Sequence, residues 1–362
     1  MISPVFQVYN ETGAAGLSVL EAVTDWAISD VLCDVGALSL TLPLDTVGAE
    51  HLLVDADRQV RVLMAGAPDM WFVADDDAWA GVSDHPGSEL RQVACRGLAA
   101  VFDEWFLDGA VTFENRNPGD VVATVFAAGQ SAGFFQGVTL LGGGTADASG
   151  NPWPTSFNVD YDADKSLLAI MKQLTDARLM EWRMVGRQLR IYAPNGLLSS
   201  LPGVLQPGGD VLSAPVTRSR RSVATHVQVA GDEATPPTIR SQALPGRRQR
   251  MTLLQQPTDS AVDPAVAGDL YLAAHAAPDV QLSHELADSA DWVPWVTYRP
   301  GDQLPTVAAG DGVELWRVQQ VAARGGVDGV QISVELGSLL KVAEERLADQ
   351  VAVLSPGVRV LG

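Results

Sequence analysis

The sequence predicts an α+β chain that is mainly β, laid out as a β segment, an α/β segment and a second β segment. Three observations predict it. Strand-length runs with a period of two fill the first hundred residues and return in the final third. Amphipathic helical patterns gather in the middle. Gly- and Pro-rich stretches, at 133–154 and 196–216, punctuate the change.

In the first segment, Val5 to Tyr9 and Leu17 to Thr24 are short runs with β-branched and aromatic content. Leu38, Leu40, Leu42 and Leu44 alternate with Ser39, Thr41 and Pro43, the period of a half-buried strand. Pro43 has no N–H to donate, so that strand ends there or lies at an edge. Val60, Val62 and Met64 repeat the alternation, with Met70 to Val73 as a hairpin partner. Strands at this spacing, without long helices between them, suggest a barrel or a sandwich.

The middle segment opens with Leu98, Val101, Phe102, Trp105 and Phe106, the spacing of an amphipathic helix, with Gly109 past its end. A second helix is expected from Asp120 to Ala128. The stretch Gly133 to Pro154, containing Gly142-Gly143-Gly144 and no lysine or arginine, reads as a long loop. A third helix is expected from Asp162 and Asp164, whose charge suits a helix N-terminus, to Arg178. Met180, Trp182 and Met184 then turn at Gly186 and are answered by Leu189 and Ile191, a β-hairpin. The residues 196–216 read as a linker.

The final segment has Val223, Thr225, Val227 and Val229 on one strand face, then Arg250 to Leu254 as another strand. A helix from Asp263 to Ala274 starts with Pro264 at its first position. Gln281 to Leu286 and Trp292 to Thr297 read as extended. Val313 to Val321 and Val330 to Leu336 form the strongest hairpin, joined by the Gly-rich turn 324–329. Leu340 to Val351 resembles a short amphipathic helix, and Ser355 to Gly362 an extended tail. No internal repeat stands out.

Composition excludes several functions. The 362 residues carry 24 basic and 44 acidic side chains, a formal net charge of −20. Without a basic excess, gripping nucleic acid is not the chain's main task. A 47% hydrophobic and 19% charged composition is globular. No apolar run of about 18 residues spans a bilayer, and Met1 to Asn10 lacks the basic and apolar regions of a secretory signal. Cys33 and Cys95 form neither a zinc motif nor a disulfide framework and are expected as buried free thiols. A soluble chain made inside the cell is the expectation.

No catalytic site is visible. Asp75-Asp76-Asp77 with Glu89 has roughly the reach of a calcium loop but lacks its glycine, and reads as a solvated turn. His51, His85, His226, His275 and His284 show no helical i, i+4 pair and no neighbouring cysteine, so they read as structural. Gly142-Gly143-Gly144 lacks the Lys-Ser/Thr of a phosphate loop, and no G-x-S-x-G elbow occurs. Trp153, Trp182, Trp292, Trp295 and Trp316 sit mostly on alternating patterns and are expected in the core. Two basic islands stand against the acidic background: Arg218, Arg220 and Arg221, then Arg247, Arg248 and Arg250. They have no interleaved aromatics for stacking bases. They read as a partner interface that meets acidic patches of this or a neighbouring chain, because the guanidinium fork binds carboxylates bidentately.

Taken together, several stretches resemble one family. Gly36-Ala37-Leu38-Ser39-Leu40-Thr41-Leu42-Pro43, followed by Arg61-Val62-Leu63-Met64, is similar to the opening of the first β-barrel of siphophage tail-hub proteins. The helix and hairpin from Lys165 to Tyr192 resemble their inserted α/β domain. Tyr298-Arg299-Pro300-Gly301-Asp302, Trp316-Arg317-Val318 and Val330-Gln331-Ile332-Ser333-Val334-Glu335-Leu336-Gly337 resemble their second barrel. The family is that of actinobacteriophage minor tail proteins related to the baseplate hub. The C-terminal tail has no counterpart in it, and an attached lysozyme or peptidase domain is not expected.

The resemblance implies two tail-tube-like β-barrel domains, 1–97 and 213–338, with an inserted α/β domain and linker at 98–212 and a helix and tail at 339–362. It implies a non-enzymatic virion protein of the tail tip, made in the host cytoplasm, without cofactor or metal. It further implies a homotrimeric ring that joins the sixfold tail tube or distal tail protein to threefold tip proteins, with the tape measure protein as a further partner. DNA passes through the lumen without sequence-specific contact, and no stable membrane insertion is expected. Residues 1–97 hold 15 acidic and 4 basic side chains, and acidity facing such a lumen would repel phosphate. The competing expectation is a receptor or cell-wall glycan-binding tail protein that uses 133–157. A cell-wall hydrolase lacks a convincing acid/base pair.

Overall fold

The computed structural model describes residues 3–337 apart from 53–55, 81–89, 198, 200, 202, 207, 231–236, 256–263, 289–290, 308–311 and 328. The expected C-terminal helix and tail lie outside the described residues, as do His85 and Glu89.

The first segment holds β1 (Val5–Tyr9), β2 (Gly16–Val19), β3 (Asp25–Val31), β4 (Ala37–Pro43), β5 (Gln59–Leu63), β6 (Met70–Ala80) and β7 (Leu90–Gly97). The middle holds a 3-10 helix (Leu98–Asp103), β8 (Val111–Arg116), α1 (Pro118–Ser131), β9 (Thr139–Leu141), β10 (Phe157–Tyr161), α2 (Leu167–Asp176), β11 (Glu181–Val185) and β12 (Gln188–Tyr192). The last segment begins with β13 (Val211–Ser213), β14 (Val216–Ser219), β15 (His226–Ala230), β16 (Thr238–Ser241), β17 (Met251–Gln255) and α3 (Pro264–Ala274). It closes with β18 (Asp279–Leu286), β19 (Gln303–Val307), β20 (Val313–Gly326) and β21 (Gly329–Gly337). The chain is mainly β, as the periodicity predicts.

The strands of the two β segments join in one sheet, with no closed barrel among the described residues. Its strand order is β13-β18-β21-β20-β3-β4-β7-β6-β5-β1-β2, with β14 also on β18 and β19 on β20, and among the described residues it is open. The seam is β3 on β20, antiparallel from Gln320↔Val31 to Gly325↔Trp26. That pairing satisfies an edge of β3 that would otherwise present free N–H and C=O groups. At the seam the Trp26 indole occupies the space that a Cβ at Gly325 would fill, so only glycine fits. Pro43 ends a central strand, between β3 and β7, rather than marking an edge.

One buried layer underlies both halves. Leu38, Leu40 and Leu42 of β4 pack in a single core with Ile28, Val93, Val321, Ile332, Val334 and Leu336. A second core fills the α/β segment around Phe102, Phe126, Ile170, Met171 and Trp182, and takes in Cys33, Trp71 and Val73 from the first segment. Both cysteines are free and buried, as expected. β15, β16, β17 and α3 form a unit of their own within the last segment. There β16-β15-β17 stack on α3 around Ala224, Val227, Val229 and Leu272.

Several local expectations change. Leu98 to Phe106 is not an α-helix but a 3-10 helix of six residues without a side-chain cap at Gly97. The third helix starts at Leu167 rather than at Asp162, because Ser166 caps it: its Oγ accepts from the Ala169 N–H at 3.1 Å. Asn117 caps α1 likewise, accepting from the Asp120 N–H at 2.8 Å, with Pro118 at the first position. The 133–154 loop contains β9, parallel to β12. The 196–216 linker contributes β13 and the buried Leu205. Trp292 to Thr297 is built of turns, with Trp295 at φ 61°. Asp75-Asp76-Asp77 lies within β6, at a bulge, rather than in a turn.

Candidate functional site

Opposite the core, the sheet has a second face, and its composition is unusual. Register places Ser333, Ala322, Ser29, Ala37 and Arg96 in one row across β21, β20, β3, β4 and β7. The next row runs Gln331, Arg324, Ala27, Ser39, Ala94 and Asp76. Alternate residues therefore divide into large apolar ones inside and, at the centre of the face on β3 and β4, Ala and Ser outside, with Arg96, Asp76, Arg324 and Gln331 toward its margins. Small side chains leave an open groove of about 1120 Å³ along this face. It crosses the seam, so both halves of the chain line it.

The charges on this face are mostly acidic. Asp75, Asp76 and Glu285 line the groove against Arg96 and Arg324. Arg96 is committed to Asp75: its Nη2 donates to Oδ1 at 2.9 Å and its Nε donates to Oδ2. Arg324 donates to the Gln331 amide oxygen at 2.6 Å. Asp77, at the far side of the bulge, instead accepts from Arg91 at 2.7 Å. The acidic triplet is thus divided between two arginines of the neighbouring strand, and Asp76 is left exposed on the groove.

The two arginine islands meet in space. Arg218 lies on β14, and Arg250 Nη1 donates to the backbone carbonyl of Arg220. The Arg250 N–H also donates to Thr225 Oγ1 at 2.7 Å, which fixes the start of β17 beside the start of β15. All six predicted arginines, 218, 220, 221, 247, 248 and 250, are exposed. Among the described residues none of them forms an ion pair with a carboxylate of this chain.

The remaining candidates each have local partners. His284 is buried, its Nε2 is 2.9 Å from Thr306 Oγ1, and burial lowers its basicity. His275 stacks on Tyr271, His226 Nδ1 is 2.9 Å from Thr225 Oγ1, and His51 lies beside Glu50. Trp182, Trp292 and Trp295 are buried, as expected, whereas Trp153 and Trp316 are partly exposed. In 133–157, Phe135 is core and Trp153 packs over Gly119, which leaves Phe134 as the exposed large aromatic. Among the described residues no group of three His, Cys, Asp or Glu is placed to hold a metal ion. No helix among them is long and apolar enough to cross a membrane.

The small-residue face escaped sequence reasoning, although its signal is present. Residues beside the buried ones in Ala27-Ile28-Ser29, Ala37-Leu38-Ser39 and Ile332-Ser333-Val334 are small, where an ordinary solvated face carries Lys, Glu or Gln.

No protein-family model matches the sequence, and no curated protein matches it. Solved structures do. The 43 kDa tail protein of prophage MuSo2 from Shewanella oneidensis superposes with a TM-score of 0.64 at 13% identity, over 92% of this chain and 96% of that one. A tail protein from Neisseria meningitidis MC58 gives 0.63 at 11% identity over 92% and 96%. A prophage tail protein from Listeria monocytogenes EGD-e gives 0.61 at 12% identity over 97% and 99%. This chain has the fold of those prophage tail proteins along nearly its whole length.

Proposed function

We propose that this chain is a structural, non-catalytic component of a phage tail tip, a hub or minor tail protein. Its two β halves, 1–97 and 213–338, act as barrel-like units flanking the 98–212 insert. Three copies form a ring between the sixfold tail tube or distal tail protein and the threefold tip proteins, in contact with the tape measure protein. The observation that carries this reading is the small-residue face of the sheet, set in a fold shared with prophage tail proteins. In a ring, that face lines the lumen. Ala and Ser give passing DNA few groups to bind, and the uncompensated carboxylates repel its phosphates.

Cryo-EM of intact virions tests it. The expected density is a ring of three copies at the tail tip with Ser39, Ala94 and Ser333 on its inner wall. A chain absent from the tail, or a lumen that is basic, overturns the reading. Binding of the purified chain to host cell wall would instead support a glycan-binding tail protein.

A further inference from the structure

The two ends of the open sheet carry opposite charge. One end is β14, with Arg218 exposed on it and Arg220, Arg221, Arg247, Arg248 and Arg250 beside it. The other end is β2, with a turn packed against it: Ser18 Oγ donates to the Gly48 carbonyl at 3.1 Å, and Thr46 Oγ1 to the Ala22 carbonyl at 3.5 Å. Glu21, Asp45 and Glu50 are exposed there. Among the described residues, Glu21 and Asp45 have no cationic partner, and Glu50 meets only its neighbour His51 at 3.6 Å. Each end also shows apolar side chains to water. Val47 is 60% exposed at the acidic end, Leu212 is 65% exposed on β13, and Met251 is 56% exposed next to Arg250.

We propose that these ends are the two halves of one head-to-tail interface, in which the arginine end of one copy receives the acidic end of a second copy. Each end is a terminal strand of the sheet, and among the described residues no further strand pairs with it. Like charge opposes pairing of either end with its own kind, while opposite charge favours and orients the mixed contact. The exposed valine, leucine and methionine supply apolar contact that separated surface ion pairs lack. A contact between two different surfaces, repeated by rotation, generates a ring rather than a closed two-fold dimer. The interface rests on the ring proposed above and gives it a chemical basis.

The test is charge reversal in the full chain, with association read by sedimentation velocity at about 50 mM and ~0.5 M salt. Wild type is expected to self-associate, less at high salt. Arg218→Glu/Arg220→Glu/Arg221→Glu and Glu21→Arg/Asp45→Arg/Glu50→Arg are each expected to weaken association by roughly 100-fold or more. Mixing the two variants restores it, because each then offers what the other lacks. Circular dichroism checks that both remain folded, which is expected for exposed positions. A wild type that stays monomeric at low salt, variants that associate like wild type, or a mixture without rescue overturns the proposal. So does an arginine variant that loses binding to duplex DNA while still self-associating. Mass spectrometry of virions separates the two levels. A chain present in tails but insensitive to charge reversal removes the interface alone, and a chain absent from tails removes the tail-tip reading.

Discussion

Arg317 on β20 grips Glu181 at the start of β11 with two parallel hydrogen bonds, Nη1 to Oε1 and Nη2 to Oε2, both 2.7 Å. The pair ties the α/β insert to the last β segment. Glu181 is the better buried partner, with its side chain 10% exposed, and it also accepts from the N–H groups of Asn195 at 3.1 Å and Leu197 at 3.3 Å. Removing Arg317 leaves a mostly buried carboxylate without its counterion. Arg317→Ala is therefore expected to cost about 2–4 kcal/mol of stability in urea unfolding, below the full cost for a completely buried pair. In a double-mutant cycle with Glu181→Gln, a coupling near zero would sink this account.

Asp30 predicts a pH dependence. It lines a crevice with Arg183, Trp295 and Arg299, and burial raises its carboxyl to about 6, against the opposing pull of the Arg183 guanidinium. The folded state then holds this proton more tightly than the unfolded chain. Between about pH 4 and 6 the group adds stability as pH falls, and at neutral pH its desolvated charge costs about 3 kcal/mol. Asp30→Asn is expected to be the more stable form at pH 7, with the gap closing toward pH 4. A stability difference that stays constant across that range would exclude the mechanism.

Gly325 tests the seam. A methyl group there meets the Trp26 ring on the paired strand. Gly325→Ala should cost about 1–3 kcal/mol through overpacking, and hydrogen exchange should accelerate in β3 and β20 before the α/β insert. Uniform acceleration, or none, would show that the seam is not a local weak point.

Ser39→Arg separates stability from passage. Ser39 is exposed on the groove, so stability should change by no more than about 0.5 kcal/mol. If the face lines the lumen, virions carrying the substitution should assemble but eject DNA more slowly, measured by dye release on receptor triggering. Normal ejection kinetics from fully assembled particles would count against a lumenal face.

Much of this fold is legible from period alone. Leu38, Leu40 and Leu42 identify β4, and the β11–β12 and β20–β21 hairpins follow from alternation around Gly186 and around the glycines 325, 326 and 329. β3 leaves almost no trace, because its inward residues include one aliphatic, Ile28, and its outward ones are Ala27 and Ser29. Its union with β20 depends on long-range pairing that no local window contains. The arginine islands are plain in the sequence, but their meeting through Arg250 and the Arg220 carbonyl depends on β17 lying parallel to β15. The groove is the hardest feature to read, since alanine and serine announce nothing until register sets them side by side.

The β3–β20 seam also constrains biosynthesis. A ribosome adding roughly 5–20 residues per second must travel from Val31 to Gly326 before β3 can meet its partner, an interval of roughly 15–60 s. Throughout that time the nascent chain exposes an unmatched strand edge next to the leucines of β4. Polysomes bring many such edges close together, which favours mispairing between neighbouring nascent chains. The polar outward face of β3, with Asp25 at its start, makes that waiting strand a poor template for aggregation.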